Sequence, residues 1–342
     1  MKRILVTGGS GFIATNLIKK LLDKFIIFNV DRLDYCSVNS NFTEFYKKKN
    51  YFFFNSDISN NKTINFILNK YKINYILNLA SETHVDRSID NSKIFIKNNI
   101  LSQLEFINTV NIYHKKSNSS LEKFIHISTD EVFGSTVKKK FTENSKYSPN
   151  SPYSASKASV DLILRSYYKT FNLPLVLVHS CNNYGPYQFI DKLIPRTIVH
   201  LFERKKIEIY GDGKNIREWI HVSDFCDVIF KLIKHGKIGE TYNVGSNYTL
   251  DNLSLVKSIC KEFDKLFFLK NSKKLISFVK DRPGHDYAYI INSNKLRKEI
   301  SWQPTINMMN GIKNLISWFL INKKWVISCK RNYNGDRIGL GK

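Results

Sequence analysis

Proline and glycine are scarce in this chain, at 7 and 15 of 342 residues, which excludes a collagen-like repeat or a proline-rich disordered polymer. Acidic side chains are few too, 29 against 53 basic ones, for a formal net charge of +24. No run of about 18 consecutive apolar residues occurs, so no transmembrane helix is expected. The opening MKRILVTGGSGF has only Ile4-Leu5-Val6 before Thr7, too short for a signal-peptide core and better read as a first strand. Cys36, Cys181, Cys226, Cys260 and Cys329 form no CxxC pair and have no histidine at metal-ligand spacing. Such an odd, unpatterned set points to free thiols in a reducing, cytoplasmic setting and to no metal site.

What is present suits a globular enzyme: 42% apolar and 24% charged residues can bury a sizeable core. The length fits two domains, or one large α/β domain with a smaller lobe. The lysines are spread along the chain, with triplets only at Lys47-Lys48-Lys49 and Lys138-Lys139-Lys140. No nucleic-acid fold signature accompanies them, so specific nucleic-acid or membrane binding is not expected, though an anionic substrate would profit from the field.

Short β-rich runs alternate with amphipathic helical runs through the first half, the pattern of parallel βαβ units. Strands are predicted at Arg3–Thr7, Phe25–Asp31, Tyr51–Asp57, Tyr75–Ala80, Lys123–Ser128 and Leu175–His179. Helices are predicted between them at Phe12–Lys24, Thr63–Lys70, Ser92–Tyr113 and Tyr153–Phe171. After Asn183 the rhythm breaks. Strands are expected there at Ile207–Tyr210 and Glu240–Val244, and helices at Asp191–Phe202, Val222–Lys234, Leu253–Phe263 and Gly311–Asn322. The expected fold is α/β: a doubly wound parallel sheet over residues 1–183 with later elements returning to it, and a smaller C-terminal α/β lobe over 184–342.

Two motifs carry chemistry. Gly8, Gly11 and Ala14 stand at GxxGxxA spacing between a strand and a helix. Glycine there permits a tight turn and close approach of main-chain N–H groups to a pyrophosphate, and a small third residue lets helix and strand pack. Asp31 ends the next strand, where a carboxylate can hold a ribose hydroxyl and repel a 2′-phosphate; Arg32 beside it leaves NADP open behind NAD. The second motif is Tyr153 and Lys157, one helical turn apart, where an ammonium can lower the phenol's pKa and make it a usable base. Upstream lies Ser128-Thr129-Asp130-Glu131 at a strand's carboxyl end. An acid and a base beside a redox tyrosine suggest elimination.

Taken with Ala80–Ser88 (ASETHVDRS), Ser128–Gly134 (STDEVFG), Asn182–Tyr187 (NNYGPY), Lys192–Pro195 (KLIP), Asp281–Asp286 (DRPGHD) and the tail YNGDRIGL, the chain resembles the nucleotide-diphosphate-glucose 4,6-dehydratases of the extended short-chain dehydrogenase/reductase superfamily. The resemblance spans essentially the whole chain and implies a Rossmann-type fold, bound NAD and a homodimer through the helices at Ser92–Tyr113 and Tyr153–Phe171. It implies a hydro-lyase reaction: oxidation at C4, loss of water across C5 and C6, and hydride return to C6, in deoxysugar (rhamnose-type) nucleotide biosynthesis. Tyr153 with Lys157 would take the C4 hydroxyl proton, Thr129 would bond the C4 oxygen, Glu131 would remove the C5 proton, and Asp130 would protonate the leaving hydroxyl.

By the same matching Gly8, Gly11, Phe12, Ile13, Asp31, Asp57, Ile58, Ala80, Asn98, Tyr153, Lys157 and Asn183 would contact NAD. Thr83, Thr129, Asn182, Lys192, Arg217, Asn252, Arg282 and His285 would surround the sugar nucleotide, with Arg217 and Arg282 as bidentate diphosphate ligands. DRPGHD and the tail favour dTDP-glucose; Asp34-Tyr35-Cys36 also occurs where UDP-glucose is used, which leaves UDP open. A sugar-nucleotide 4-epimerase is the other alternative, although it has no use for Asp130 and Glu131. Ala14, Asn98, Phe133 and Glu218 depart from the usual family pattern.

Overall fold

A computed structural model of the chain describes residues 1–38, 41–136, 139–333, 335 and 338–340. Lys138 of the second lysine triplet and Asn334, Asp336 and Arg337 of the tail lie outside the described residues. Arg3–Thr7 (β1), Ile26–Asp31 (β2), Tyr51–Asn55 (β3), Tyr75–Asn78 (β4), Lys123–Thr129 (β5) and Leu175–Ser180 (β6) are parallel, in the order β3-β2-β1-β4-β5-β6. Ile4, Leu5 and Val6 of β1 are fully buried, as a parallel strand covered on both faces must be. The covering helices are Phe12–Leu21 (α1), Asn61–Tyr71 (α2), Val85–Asp90 (α3), Ser92–Phe95 (α4), Ser102–His114 (α5) and Pro152–Phe171 (α6). This is the expected doubly wound, Rossmann-type α/β fold.

Local chemistry sets the ends of the elements that carry the site. Ser151 caps α6 in a reciprocal box with Ser154, Pro152 opens its first turn, and Asn172 closes it in a left-handed conformation. β3 stops at Asn55 rather than the predicted Asp57. The Asp57 carboxylate instead accepts from the Ser59 N–H at 2.8 Å and hydroxyl at 2.7 Å, turning the chain toward α2. The predicted helix from Ser92 to Tyr113 is present but winds as a π-helix over Ile96–Leu101. That bulge sets Asn99 to accept from Glu82 N–H at 2.7 Å and donate to Ser156 Oγ at 2.9 Å, joining it to α6.

The second half divides its residues between two cores. Asn182–Tyr184 (β7), Leu193–Glu203 (α7), Ile207–Tyr210 (β8), Ile216–His221 (β9), Val222–His235 (α8), Thr241–Val244 (β10), Thr249–Asp251 (β11), Asn252–Phe267 (α9), Ile276–Val279 (β12), Asn294–Ile300 (α10), Met308–Ile321 (α11) and Lys323–Arg331 (α12) follow in order. β10 returns to the large sheet beside β6, and Phe225, Ile229 and Leu232 of α8 join the core of α1. The smaller core gathers Trp219, Phe263, Phe319 and Trp325 around the short sheets β11-β9-β7 and β12-β8. β7, β9, β11, β12, α3, α10 and α12 were not anticipated. Strands such as Asn182-Asn183-Tyr184 are too short for a period, and two asparagines disfavour extension; pairing with Trp219–His221 supplies what propensity does not.

All five cysteines are free thiols. Among the described residues no helix is long and apolar enough to cross a membrane. Asp224 ties the C-terminal segment to the first turn of α8, accepting from Thr305 N–H at 3.1 Å, Thr305 Oγ at 2.7 Å and Ile306 N–H at 3.0 Å. Asp224→Ala should lower the unfolding free energy by about 1–3 kcal/mol, seen as a lower urea midpoint at unchanged slope.

Candidate active site

Where the strand order reverses, between β1 and β4, a cleft of about 500 Å³ opens beyond the carboxyl ends of the strands. It brings together Gly8, Gly11, Phe12, Ile13, Asp31, Asp57, Ile58, Ala80, Asn98 and Asn183, the expected cofactor contacts. Thr83, Asn182, Lys192, Arg217, Asn252, Arg282 and His285, expected around the sugar nucleotide, line the same cleft with Thr129, Glu131, Tyr153 and Lys157. Asp130 alone of the predicted site residues is not among the lining side chains; it sits behind the wall, 1% exposed.

At the nucleotide end, Gly8 has φ +67°, and a Cβ there would stand 2.8 Å from Ala80 Cα. Any side chain there would push apart the glycine turn and the main chain at Ala80. Helix α1 has no side-chain cap and no acid in its first turn, so its leading N–H groups and positive end face the cleft uncompensated. Asp31 accepts from Ser10 N–H at 2.9 Å and Leu33 N–H at 2.7 Å, while burial pushes its carboxyl up. Arg32 pairs with Asp34, Asp57 and Glu82, so the guanidinium that left NADP open is already engaged by three carboxylates. These residues fit a dinucleotide: an uncapped helix end for a pyrophosphate, a glycine cradle, and a carboxylate at the end of β2.

At the centre, Tyr153 and Lys157 share one face of α6, over the end of β5. Lys157 Nζ donates to Ile127 O at 2.8 Å and lies 3.5 Å from His126 Nε2; burial lowers its pKa to about 8. Burial, followed by the charge of Glu131, pushes the Tyr153 phenol up, with the Thr129 hydroxyl opposing. Burial thus acts against the lowering expected of the Lys157 ammonium, whose shortest bond goes to a main-chain carbonyl.

Thr129 Oγ accepts from Glu131 N–H at 3.3 Å and lies 3.3 Å from Asp130 Oδ1, while Asp130 Oδ2 has no partner. Burial, Glu131 and Glu218 hold Asp130 well above the usual carboxylate range. Glu131 is raised by burial too, but Arg282, Arg217 and Lys192 counter the rise, and its Oε2 is unpartnered. Burial thus raises both carboxyls, Asp130 with two further carboxyls adding to the rise and Glu131 with three cations opposing it.

At the far end, Arg282 donates to Asp86 Oδ1 at 2.7 Å and keeps a buried Nε without a partner. Arg217 donates from both terminal nitrogens to the carbonyls of Ile216, Asp286 and Tyr287, at 2.8, 3.0 and 3.3 Å. Those bonds take three of its five N–H groups. His285 bonds Asp281 at 2.7 Å, and burial with Arg282 and Arg217 lowers it to about 4. Lys192 Nζ donates to Thr83 O at 3.0 Å.

Residues without a sequence signal also line the cleft. Tyr289 carries Arg217 over its ring at 4.2 Å, and Tyr210 donates to Asp86 at 2.9 Å. Lone tyrosines on short elements carry no pattern; only the packing of the two cores brings them here. The departures from the family pattern are accommodated. Glu218 accepts from Asn247 N–H at 2.6 Å and Ile291 N–H at 3.2 Å, Asn98 donates to Glu82 at 3.0 Å, and Phe133 stacks on Phe141. Ala14 is buried in the core where a small residue is needed.

Fold and site together define a nucleotide-binding enzyme of the extended short-chain dehydrogenase/reductase class, with an acid and a base added to its tyrosine and lysine. The profile of the family described as GDP-mannose 4,6 dehydratase matches residues 5–315. The chain is 37% identical, over 98% of both sequences, to a dTDP-glucose 4,6-dehydratase of Xanthomonas campestris pv. campestris (strain B100). It is 36% identical, over all of both, to that of Neisseria meningitidis serogroup B. A crystal structure of dTDP-glucose 4,6-dehydratase from Bacillus anthracis in complex with NAD superposes with a TM-score of 0.86 at 35% identity, covering 96% of this chain and 100% of that one. A UDP-glucuronic acid 4-epimerase from Bacillus cereus superposes at 0.84 with 25% identity, covering 93% and 99%. The chain belongs to the sugar-nucleotide 4,6-dehydratase family.

The buried, half-satisfied carboxyl of Asp130 should cost stability. Its raised folded pKa means that folding takes up a proton above the ordinary carboxylate range, so stability falls as pH rises toward that folded value. Asp130→Asn does not titrate, and should raise the thermal midpoint, more at pH 8 than at pH 5; differential scanning calorimetry at both checks this.

Proposed function

We propose that this chain binds NAD and dehydrates dTDP-glucose to dTDP-4-keto-6-deoxyglucose, regenerating the cofactor each turn, as a step of deoxysugar (rhamnose-type) nucleotide biosynthesis. The observation that carries the reading is the pairing of Glu131, on the cleft, and Asp130, just behind its wall, with Tyr153 and Lys157. Relatives at 36–38% identity over nearly the whole chain, named dTDP-glucose 4,6-dehydratase, support it. A 4-epimerase needs no acid and base for elimination, so these two carboxyls favour the dehydratase.

When bound, NAD would supply a reversible store for the hydride taken from C4. Tyr153, with Lys157 behind it, takes the C4 hydroxyl proton, and Thr129 hydrogen-bonds the C4 oxygen. The 4-ketone acidifies C5, and Glu131, under the field of Arg282 and Arg217, removes that proton. Asp130 gives a proton to the C6 hydroxyl, which leaves as water, and C5 is reprotonated as the stored hydride would return to C6. Arg282, Lys192, Asn252 and His285 surround the sugar nucleotide, and Asp31 holds the ribose of the cofactor.

The test is direct. Purified protein given dTDP-glucose, with no added nicotinamide, should form a 4-keto sugar with alkaline absorbance, and UDP-glucose in parallel should turn over far more slowly. No 4-keto product from either sugar would sink the reading. In D₂O the wild type should place one deuterium at C5 and none at C6. Glu131→Gln should lose the C5 exchange and slow product formation by about 10²–10⁴-fold.

The protein is also proposed to be a cytoplasmic homodimer. Free cysteines support the compartment. Helices α4 to α6 leave Ile94, Ile96, Leu101, Ile112 and Leu162 exposed by 44–59%, apolar surface that a second copy would cover. Replacing Ile112 and Leu162 by Asp should yield a monomer by light scattering where the wild type gives a dimer.

A further inference from the structure

One turn beyond Lys157 on α6, Asp161 is fully buried, and none of the steps above uses it. Its Oδ2 accepts from Ser128 Oγ at 2.7 Å and Tyr147 OH at 3.2 Å and lies 3.2 Å from His179 Nε2. Its Oδ1 has no hydrogen-bond partner and lies 3.6 Å from His126 Nε2. That same His126 nitrogen is 3.5 Å from Lys157 Nζ.

The hydrogen on His126 can be assigned from the surrounding bonds. Thr7 Oγ accepts from Leu79 and Ala80 N–H, both at 3.2 Å, so it donates to Asn78 Oδ1 at 2.7 Å. Asn78 Nδ2 therefore faces Gln103 Oε1 at 2.8 Å and His126 Nδ1 at 2.9 Å. Nδ1 accepts, and the ring proton sits on Nε2, on the side of Asp161 and Lys157. Burial holds this imidazole down to about 3, so it contributes a dipole and no charge.

The groups facing the nook can then be counted from each element. β5 offers His126 and Ser128, β6 offers His179, and the loop before α6 offers Tyr147 with Arg165 over its ring. α6 itself offers Lys157 and Tyr153, with Glu131 and Asp130 acting on the phenol from the cleft side. Asp161 and Lys157, at i and i+4 on the same helix, flank one His126 nitrogen, at 3.6 and 3.5 Å.

We propose that Asp161 is a positioning residue, the buried counter-charge that keeps Lys157 protonated and so sets the alkaline edge of activity. The proposal rests on the reading of Tyr153 and Lys157 given above. A lone ammonium in that nook would shed its proton, because burial disfavours the charged form and the nearest ring presents an N–H rather than a lone pair. Burial draws Lys157 down, and Asp161 is the group that opposes the fall. Burial also works against the charge of Asp161, but the bond to His179 and the field of its neighbours, Lys157 among them, hold it below the usual carboxylate range.

The experiment reads Lys157 itself. Competitive labelling with acetic anhydride across pH, followed by peptide mass spectrometry, gives the midpoint of its titration without substrate or turnover. Asp161→Asn should lower that midpoint by about one pH unit or more, taking the neutral fraction at pH 8 from about half to about nine-tenths. The alkaline limb of kcat should move the same way, with activity partly retained near pH 6.5. A midpoint within about 0.3 units of wild type, with activity lost equally at all pH values, would make Asp161 a structural staple only and overturn the proposal. If Asp161→Asn does not fold, the double variant with Lys157→Met should recover folded protein, since it leaves neither charge unpaired; a double variant that folds no better overturns the pairing. Labelling reads out even if the wild type makes no 4-keto product, so failure of the function and failure of the counter-charge are separate results.

Discussion

Desolvation at the carboxyl edge of the seven-stranded sheet governs the chemistry open to this chain. β5 ends in His126, Ser128 and Thr129 and passes directly into Asp130 and Glu131, all inside a sheet covered on both faces. Polar groups there cannot be left to water. Most are bonded or paired, and among the atoms left without a partner are Asp130 Oδ2, Glu131 Oε2 and the Nε of Arg282. The same burial pulls Lys157 down and pushes Tyr153, Asp130 and Glu131 up. One physical cause thus perturbs every titratable group of the site, and the neighbouring charges set them apart.

Charges that must survive burial are held by geometry. Helix α6 is anchored at its start by the Ser151–Ser154 box and by Ser88, whose hydroxyl accepts from Tyr153 N–H at 3.1 Å. The π-wound stretch before α5 adds a third tether through Asn99 and Ser156. Three short elements with little stability of their own therefore fix the phenol and the ammonium against β5. Insertion of a π turn costs regular helix bonds, and here it coincides with residues on the cleft.

The second half of the chain completes the site by dividing itself between two cores. α8 and β10 return to the large sheet, while β8, β9 and α9 build the smaller core that presents Arg217, Asn252 and Tyr210 to the cleft. Arg217 shows what that placement does to a motif residue. Read along the chain it is a free cation suited to a diphosphate; in the fold it is bound to three main-chain carbonyls beneath Tyr289.

Local sequence determined the parts of this protein whose signals are local. The glycine turn after β1, the tyrosine and lysine one turn apart, and the acids following β5 were all legible, because turn chemistry and helical spacing act over a few residues. The parallel strands were legible because burial on both faces leaves nearly continuous apolar runs. Tertiary structure alone decided the short strands, the π-wound turn, the engagement of Arg32 by three carboxylates, and the tyrosines of the far wall. It alone also set how burial acts on the site, raising Tyr153 and Asp130 and lowering Lys157. The physical reason is that desolvation and long-range charge depend on what surrounds a group, and the surroundings of Tyr153, Asp130 and Lys157 come from segments far apart in the chain.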